Sequence, residues 1–199
     1  MRRQVRNLVE QLAQAVDLPG PVYEIGSFQV PGQESIADLR SLFPGRRYVG
    51  VDMRAGRGVD VVADIEAARF DEQAGTILCL DTLEHVRRPE RACRQMARLL
   101  APHGLALCVT VMRFPIHEYP EDYWRVTPAG LRQWLEVFPW AVTWGAGDAN
   151  HPHTVVGLAG GNGGMPSLRA CEIISAWSRD SRPGPRSRLV HAWRELTGR

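Results

Sequence analysis

The sequence predicts an α/β fold, in which a doubly wound, mostly parallel seven-stranded sheet with an antiparallel last strand carries helices on both faces. Three observations predict this class. Short apolar runs alternate with amphipathic segments, as in successive βαβ units. Several of these runs stop at an acidic residue or a glycine, as buried parallel strands do where they meet a ligand. The last two runs, at residues 140–144 and 154–158, are close enough in the sequence to pair as an antiparallel hairpin.

The first half of the chain supplies one helix and three strands. Apolar residues recur at helical spacing from Val5 to Val16, and the Pro-Gly-Pro at 19–21 ends that helix. The first strand follows at residues 22–25, and a short helix is expected at 36–42. The second and third strands are predicted at residues 47–51 and 59–62.

The second half continues the alternation. Strands are predicted at 76–80 and 105–111, with a helix at 89–100 between them and a turn at 101–104. A helix capped by Thr127 extends to residue 137 and precedes the hairpin. The last predicted elements are a glycine loop at 160–164, a helix at 168–177, a linker at 181–186 and a short helix at 189–196.

The length and composition indicate one soluble domain. A chain of 199 residues can bury one good core, whereas two domains of half that size would each be marginal. We expect a single domain over residues 1–199, with an amino-terminal helix within 1–18, a core at about 22–158 and a helical tail at 165–199. No apolar run approaches the roughly 20 residues that span a bilayer, and the start lacks the apolar centre of a signal peptide. We therefore expect a cytoplasmic protein with no membrane partner.

The charge and the cysteine content limit the kinds of partner and metal site that we expect for this chain. All 24 basic residues are arginine, yet the net charge of +2 gives no strong field for nucleic acid. The four cysteines are widely spaced and are interpreted as reduced core thiols. No metal site is predicted: His117, Glu118 and Asp122 could gather oxygen and nitrogen ligands around a metal, but their spacing matches no specific metal motif. A monomer or a homodimer is expected, since Trp177 and Trp193 either form a dimer contact or pack on the sheet.

The ends of the first two strands predict an adenosine-containing ligand. Glu24 and Gly26 close the first strand with an acid and a turn that lets backbone approach a ligand. Asp52 closes the second strand, where an acid accepts hydrogen bonds from the two ribose hydroxyls of a nucleotide-like cofactor. No further glycine follows before Gly32, so the cradle that a dinucleotide's pyrophosphate needs is missing.

These residues resemble the class I S-adenosylmethionine (SAM)-dependent methyltransferases. The resemblance lies in Glu24, Gly26 and Asp52, and in the Leu-Glu-His-Val string at 83–86, and it covers about residues 22–158. Phe28 stands where the family usually has its second glycine, so the loop must cross the methionine end of SAM differently. The resemblance implies SAM as cofactor and S-adenosylhomocysteine (SAH) as product.

The resemblance also implies a set of cofactor-binding residues. Asp64 would accept the adenine amino group with Ile65 against the ring; alternatively, Asp64 caps the short helix that begins near Glu66. His85 would touch the methionine part of SAM or orient the loop after the fourth strand. The complete predicted cofactor set is Glu24, Gly26, Ser27, Asp52, Met53, Asp64, Ile65, Leu80 and His85.

A polar and aromatic segment at 114–125 follows the fifth strand and is the candidate substrate wall. The predicted substrate-binding residues are Tyr119, Tyr123, Trp124 and Arg125. The alternatives are that the aromatic rings pack beneath a loop, and that Arg125 only pairs with Glu121 or Asp122.

Two residues are catalytic candidates. His117 would remove a proton if the acceptor is a hydroxyl, because imidazole titrates near neutral pH; it is otherwise a loop histidine. Asp81 would hold the acceptor or contact the cofactor, or would be a turn or cap residue.

The predicted function is SAM-dependent methylation of a small molecule, such as a sugar or a secondary metabolite, at oxygen or nitrogen. A SAM-fold protein that binds without turnover is one alternative. A nucleic-acid methyltransferase is the less favoured one, because residues 81–83 lack the acid or amide, Pro-Pro and aromatic string that amino-methylating DNA enzymes share.

Overall fold

The computed structural model describes residues 1–117 and 121–181. The strands are β1 Val22–Ile25, β2 Tyr48–Asp52, β3 Val61–Val62, β4 Ala74–Leu80, β5 Leu100–Val111, β6 Trp140–Gly147 and β7 Pro152–Gly160. The helices are α1 Arg3–Ala15, α2 Glu34–Ala37, α3 Pro89–Leu99, α4 Pro128–Leu135 and α5 Leu168–Asp180, with 3-10 helices at Arg40–Leu42 and Leu83–His85. The predicted helix at 189–196 lies outside the described residues.

One seven-stranded sheet joins all the strands in the order β3-β2-β1-β4-β5-β7-β6. The pairs from β3 to β5 are parallel, and β7 runs antiparallel to both β5 and β6. The predicted fold class is therefore confirmed. The chain order reverses between β1 and β4, which is the place where open α/β sheets bind ligands beyond their carboxyl ends.

Helices cover both faces of this sheet. One apolar core contains buried residues of α3 and α4, and a second contains buried residues of α1 and α5. Trp177 of α5 belongs to the second core, and its Nε1 donates a hydrogen bond to the Gln4 carbonyl at 3.2 Å. This ring packs back on the domain, as one of the two alternatives for it predicted. Trp193 lies outside the described residues.

Two predicted elements differ from the structure. The helix expected at 36–42 is divided into α2 and a 3-10 turn, and the side chain of Arg6 donates to the carbonyl oxygens of Ile36 and Asp38 at the break. The turn expected at 101–104 is instead a bulge within β5. Leu100 pairs with Ala74, and the pairing resumes between Leu105 and Thr76 after a register shift.

Among the described helices, none is both long and apolar enough to span a membrane.

Candidate cofactor and substrate cleft

A cleft of about 770 Å³ opens beyond the carboxyl ends of the central strands. Its volume is in the range of pockets that bind small molecules and cofactors. Adjacent strands are about 4.8 Å apart, so the ends of β2 and β5, three steps apart in the sheet, are separated by roughly 14 Å. We call the residues that follow β1, β2 and β3 the β2 half of the cleft, and those that follow β4 and β5 the β5 half.

The turn after β1 requires a glycine for two reasons. Gly26 has a φ of +85°, in the left-handed region, and a Cβ there would lie 2.2 Å from Thr82 Oγ1. The amides of Gly26 and Ser27 both donate to the Val51 carbonyl, at 2.8 and 3.1 Å. The turn is thereby fixed to β2, and both residues line the cleft.

Phe28 packs on the loop that follows β2. Its ring lies against Gly56, where a Cβ would be 2.4 Å from the ring, and 4.3 Å from the Arg54 guanidinium carbon. Its amide donates to Asp52 Oδ2 at 3.3 Å. The bulky side chain at the usual glycine position is thus accommodated by the glycine in the neighbouring loop.

Asp52 lies at the bottom of the β2 half and is 8% exposed. Its Oδ1 accepts hydrogen bonds from Arg54 N at 2.9 Å and from Arg54 Nε at 3.2 Å. An ionised carboxylate offers about four acceptor positions, and Arg54 and the Phe28 amide take three of them, so Asp52 keeps about one for a ligand hydroxyl. Met53 beside it also lines the cleft and is 57% exposed.

Asp64 makes the capping contact that was one of its two predicted roles, but residues 65–67 form a turn and not the short helix expected to begin near Glu66. Its Oδ1 accepts from Glu66 N at 2.9 Å. Asp64 and the buried Ile65 both line the cleft, as does Leu80 at the end of β4. The adenine role of Asp64 stays a prediction beside the observed cap.

Glu24 is a buried carboxyl in the wall of the β2 half. It is 7% exposed and accepts a hydrogen bond from the Tyr48 hydroxyl at 2.8 Å. Burial disfavours its charged form and, against the opposing effect of the Tyr48 hydrogen bond, raises its pKa to about 7.

Asp81 is held by the amino-terminal end of the chain. It has a φ of 49°, in the left-handed region that non-glycine residues rarely occupy, and it forms an ion pair with Arg2 at 2.6 Å. Burial alone would raise the pKa of Asp81, but the charge and hydrogen bonds of Arg2 outweigh that effect and lower it. Met1 and Arg2 line the cleft, a contribution that the sequence analysis missed.

Glu84 is the second site residue to which the sequence analysis gave no role. The residue is fully buried, and its Oε2 accepts from Thr110 Oγ1 at 2.8 Å. Its Oε1 has no hydrogen-bond partner among the described residues. Burial, with the nearby charge of Asp81, raises the pKa of Glu84 to about 7. An acid inside an otherwise apolar string was the signal that could have identified it.

The two candidate histidines meet at the β5 half. The rings of His85 and His117 are edge to face, with centroids 4.7 Å apart. His85 Nδ1 lies 2.6 Å from the Glu121 carbonyl oxygen, and burial lowers the pKa of His85. His117 Nδ1 lies 3.2 Å from both the Pro115 carbonyl oxygen and Asp122 Oδ2. Glu84, His85 and His117 each bring one possible ligand atom within 4.8 Å of the others.

The segment after β5 contributes less to the cleft than predicted. Tyr123 lines it, and the amides of Tyr123 and Trp124 donate to the Glu84 carbonyl at 2.8 and 3.2 Å. Trp124 does not line it, because its ring packs on Trp134 and its Nε1 donates to the Val86 carbonyl at 2.9 Å. Trp124 therefore matches the alternative in which the aromatic ring packs against the protein instead of facing a substrate.

Arg125 is likewise absent from the lining and pairs within its own segment. Two of its nitrogens contact the two carboxylate oxygens of Asp122 at 2.6 Å, and it also donates to the carbonyls of Phe114 and Pro115. Burial would raise the pKa of Asp122, yet these hydrogen bonds and that of the His117 amide lower it to about 2. The predicted substrate residue Tyr119 lies outside the described residues.

Comparison with known proteins identifies the type of domain. A family model described as a methyltransferase domain matches residues 1–152 of the chain. No curated protein matches the chain.

Several solved structures share the fold. The N-terminal domain of EvdMO1 with SAH bound has 18% identity and a TM-score of 0.56, with 78% of this chain and 80% of that chain covered. The CcbJ methyltransferase from Streptomyces caelestis has 15% identity and a TM-score of 0.55, covering 80% and 89%. A chain from a complex containing the Haloferax volcanii Trm112 methyltransferase activator has 14% identity and a TM-score of 0.58, covering 83% and 92%.

Proposed function

The chain belongs to the methyltransferase-domain family, a group of class I enzymes that use SAM, and on that premise we propose that it methylates a small molecule at a hydroxyl or amino group. SAM is the cofactor and SAH the product. The observation that carries the proposal is the order of groups along the cleft. Asp52 and the Gly26 turn lie in the β2 half, and the two histidines lie with Phe114 and Tyr123 in the β5 half.

This order fits the chemistry of methyl transfer. The methyl group of SAM sits on a sulfonium, which is already a strong electrophile, so the protein's main task is to align the acceptor behind it. Alignment of two reactants supplies on the order of 7 to 11 kcal/mol. With the ribose at Asp52, the remainder of SAM extends towards β4, and the acceptor would lie beside His117 and Tyr123.

Two features support a small acceptor. The β5 half is bounded by Arg2, Phe114 and Tyr123, so the space beside the reacting methyl is confined. The net charge of +2 offers no extended field for a nucleic-acid backbone.

A hydroxyl acceptor must lose its proton, and His117 faces the place where this occurs. The carbonyl of Pro115 can only accept, so the Nδ1 of His117 carries the hydrogen and Nε2 holds the free electron pair. Asp122 lies behind the ring and fixes its orientation. Such a base, held by a second group, meets the geometric requirement for proton removal.

Calorimetric titration of the purified chain with SAM, SAH and NAD tests the cofactor. We expect micromolar binding of SAM and SAH and none of NAD. Asp52→Asn keeps the shape of the side chain but removes the negative charge that favours ribose hydroxyls, so SAH affinity should fall about tenfold, equivalent to roughly 1.4 kcal/mol. Asp17→Asn, a change of the same kind at an 83% exposed side chain, should bind SAH like the wild type.

The opposite results are equally informative. Equal SAH affinity in a folded Asp52→Asn variant would remove the ribose assignment. SAH binding without methylation of any hydroxyl or amino compound in a broad screen would favour the protein that binds without turnover. Phe28 packs on Gly56 and also lines the cleft, so the SAH titration tests directly whether the cleft binds the cofactor with this ring in place.

A further inference from the structure

We propose that Glu84, His85 and His117 together bind one divalent cation in the β5 half of the cleft. The binding itself is independent of the methyl donor, whereas the catalytic role given to it below rests on the proposed function. The sequence analysis considered only His117, Glu118 and Asp122, whose spacing matches no specific metal motif. Glu84 and His85 are adjacent in the sequence, but His117 follows His85 by 32 positions and only the fold brings it to them.

The first argument is the convergence of three ligand atoms. One atom from each residue lies within 4.8 Å of the other two. Imidazole nitrogens and carboxylate oxygens bind such cations at about 2.0–2.2 Å, so two ligands of one ion are separated by roughly 3 to 4 Å. Small side-chain rotations would close that difference. Two histidines and one carboxylate leave further positions on the cation open for a substrate.

The second argument is the protonation pattern of the two rings. Each Nδ1 faces a backbone carbonyl, that of Glu121 for His85 and that of Pro115 for His117, and a carbonyl can only accept. Both neutral rings therefore carry their hydrogen on Nδ1 and hold an electron pair on Nε2. Metal-binding histidines are commonly fixed in this way, and the carboxylate of Asp122 behind His117 is a typical outer partner.

The third argument is the unsatisfied oxygen of Glu84. The residue has no exposed surface and its Oε2 is taken by Thr110, but Oε1 lacks a partner among the described residues. A buried acceptor without a partner is costly, so native structures rarely contain one. Glu84 also lines the cleft, and a cation there would supply the missing partner.

The ligand chemistry indicates the class of metal. Two imidazoles with one carboxylate favour a first-row transition ion such as Mn²⁺, Co²⁺ or Zn²⁺ over Ca²⁺, which prefers oxygen alone. The nearby guanidinium of Arg2 is compensated by its ion pair with Asp81, so it does not leave an unbalanced positive charge at the site.

The cation would activate a hydroxyl acceptor. A hydroxyl bound to it loses its proton more easily, and the proton passes to solvent water. The acceptor oxygen then forms a bond to the methyl carbon of SAM while the carbon–sulfur bond breaks and its electron pair stays on sulfur, giving SAH. No oxidant or reductant is needed. His117 then acts as a ligand instead of as a free base.

Mn²⁺ binding to the full chain tests the site directly. The protein is treated with a chelator, dialysed and titrated with Mn²⁺, with free Mn²⁺ quantified by electron paramagnetic resonance. We expect one Mn²⁺ per chain and a loss of affinity of at least about tenfold in His85→Phe, in His117→Phe and in Glu84→Gln. Phenylalanine keeps the ring packing with the neighbouring side chains but removes the ligand nitrogen. His151→Phe changes an exposed histidine outside the cleft lining and should bind like the wild type.

Two parallel measurements separate the possible results. Circular dichroism confirms that each variant is folded, and if Glu84→Gln does not fold, the two histidine variants decide the question. SAH titration of the metal-free protein tests the proposed function on its own. Failure of the folded protein to bind Mn²⁺ although it binds SAH, or Mn²⁺ binding that survives both histidine substitutions, would overturn the cation site. Specific Mn²⁺ binding without SAH binding would keep the cation site and overturn the proposed function.

Discussion

The two halves of the cleft are held in shape by contacts of different range. In the β2 half, Asp52 and Asp64 each accept a hydrogen bond from an amide two residues further along the chain. In the β5 half, Asp81 is held by Arg2 across 79 residues, Glu84 by Thr110 across 26, and His85 by Glu121 across 36. The β2 half combines these turns with contacts across 24 residues, from Phe28 to Asp52 and from Tyr48 to Glu24, whereas every contact named for the β5 half spans 26 to 79 residues.

This difference has a functional meaning. Local turns give the same ligand geometry wherever the strand and its turn form. This suits the binding of a cofactor, because one cofactor serves enzymes with many different acceptors. Long-range contacts place side chains from four regions of the chain around one point. Their arrangement changes when any of those regions changes, which suits the half of the cleft that must recognise a particular acceptor.

The largest expected effect tests the long-range half. Arg2→Ala leaves Asp81 with a buried charge and no partner, since the two side chains are 17% and 8% exposed. Breaking such a pair from one side costs about 3 kcal/mol, so the free energy of unfolding should fall by roughly that amount at pH 7. Urea unfolding measures it. Arg3 is the exposed neighbouring residue, and Arg3→Ala should lower the free energy of unfolding by less than about 0.5 kcal/mol. Equal losses in the two variants would contradict a specific role for Arg2.

The next prediction concerns Glu24, whose partner Tyr48 is distant in sequence although it lies in the β2 half. Its folded pKa of about 7 exceeds the usual value of 4.5, so the folded state keeps a proton that the unfolded state releases between those values. Stability therefore falls as the pH rises from 4.5 to 7, by up to about 3 kcal/mol. Glu24→Gln removes this loss.

Urea unfolding at pH 5 and pH 8 measures the effect for Glu24. The stability of Glu24→Gln relative to the wild type should increase between the two pH values, whereas that of the exposed Glu136→Gln should not change. If both variants respond in the same way, burial is not the cause of the pH dependence.

The smallest expected effect separates the two roles of Asp64. Serine is a good capping residue but is too short to reach an adenine ring, so Asp64→Ser should keep the free energy of unfolding within about 0.5 kcal/mol. SAH affinity should nevertheless fall about fivefold, because one hydrogen bond contributes only about 1 kcal/mol net. Calorimetry measures the affinity. An unchanged SAH affinity in this variant would show that Asp64 acts only as a cap. That result would strengthen the contrast between the β2 half and the β5 half of the cleft.

Much of the fold was predictable because its signals are local. Apolar runs of strand length and helical spacing gave the sheet and its helices, and α1 and α3 begin and end within about two residues of the predicted limits. The exceptions have tertiary causes. The helix expected at 36–42 breaks where Arg6 of α1 contacts its carbonyls, and the turn expected at 101–104 becomes a bulge because Leu100 pairs with Ala74.

The segment after β5 shows where prediction from sequence stops. Polar and aromatic residues there indicated a wall of the site, yet Arg125 turns back on Asp122, and Trp124 packs on Trp134. Composition cannot distinguish a side chain that faces a ligand from one that satisfies its own loop. The distinction depends on which residues the tertiary structure places beside the side chain.

The sequence by itself determined the fold class and the type of cofactor, because the acids and the glycine that mark them stand at the ends of strands, and a parallel sheet brings such ends to one edge. Only the tertiary structure decided that Arg2 holds Asp81 and that Glu84, His85 and His117 share one point. The physical reason is that Arg2 and Asp81 are 79 positions apart and that His117 follows His85 by 32 positions. No local pattern of apolar and polar residues specifies which distant partner a buried polar group will meet.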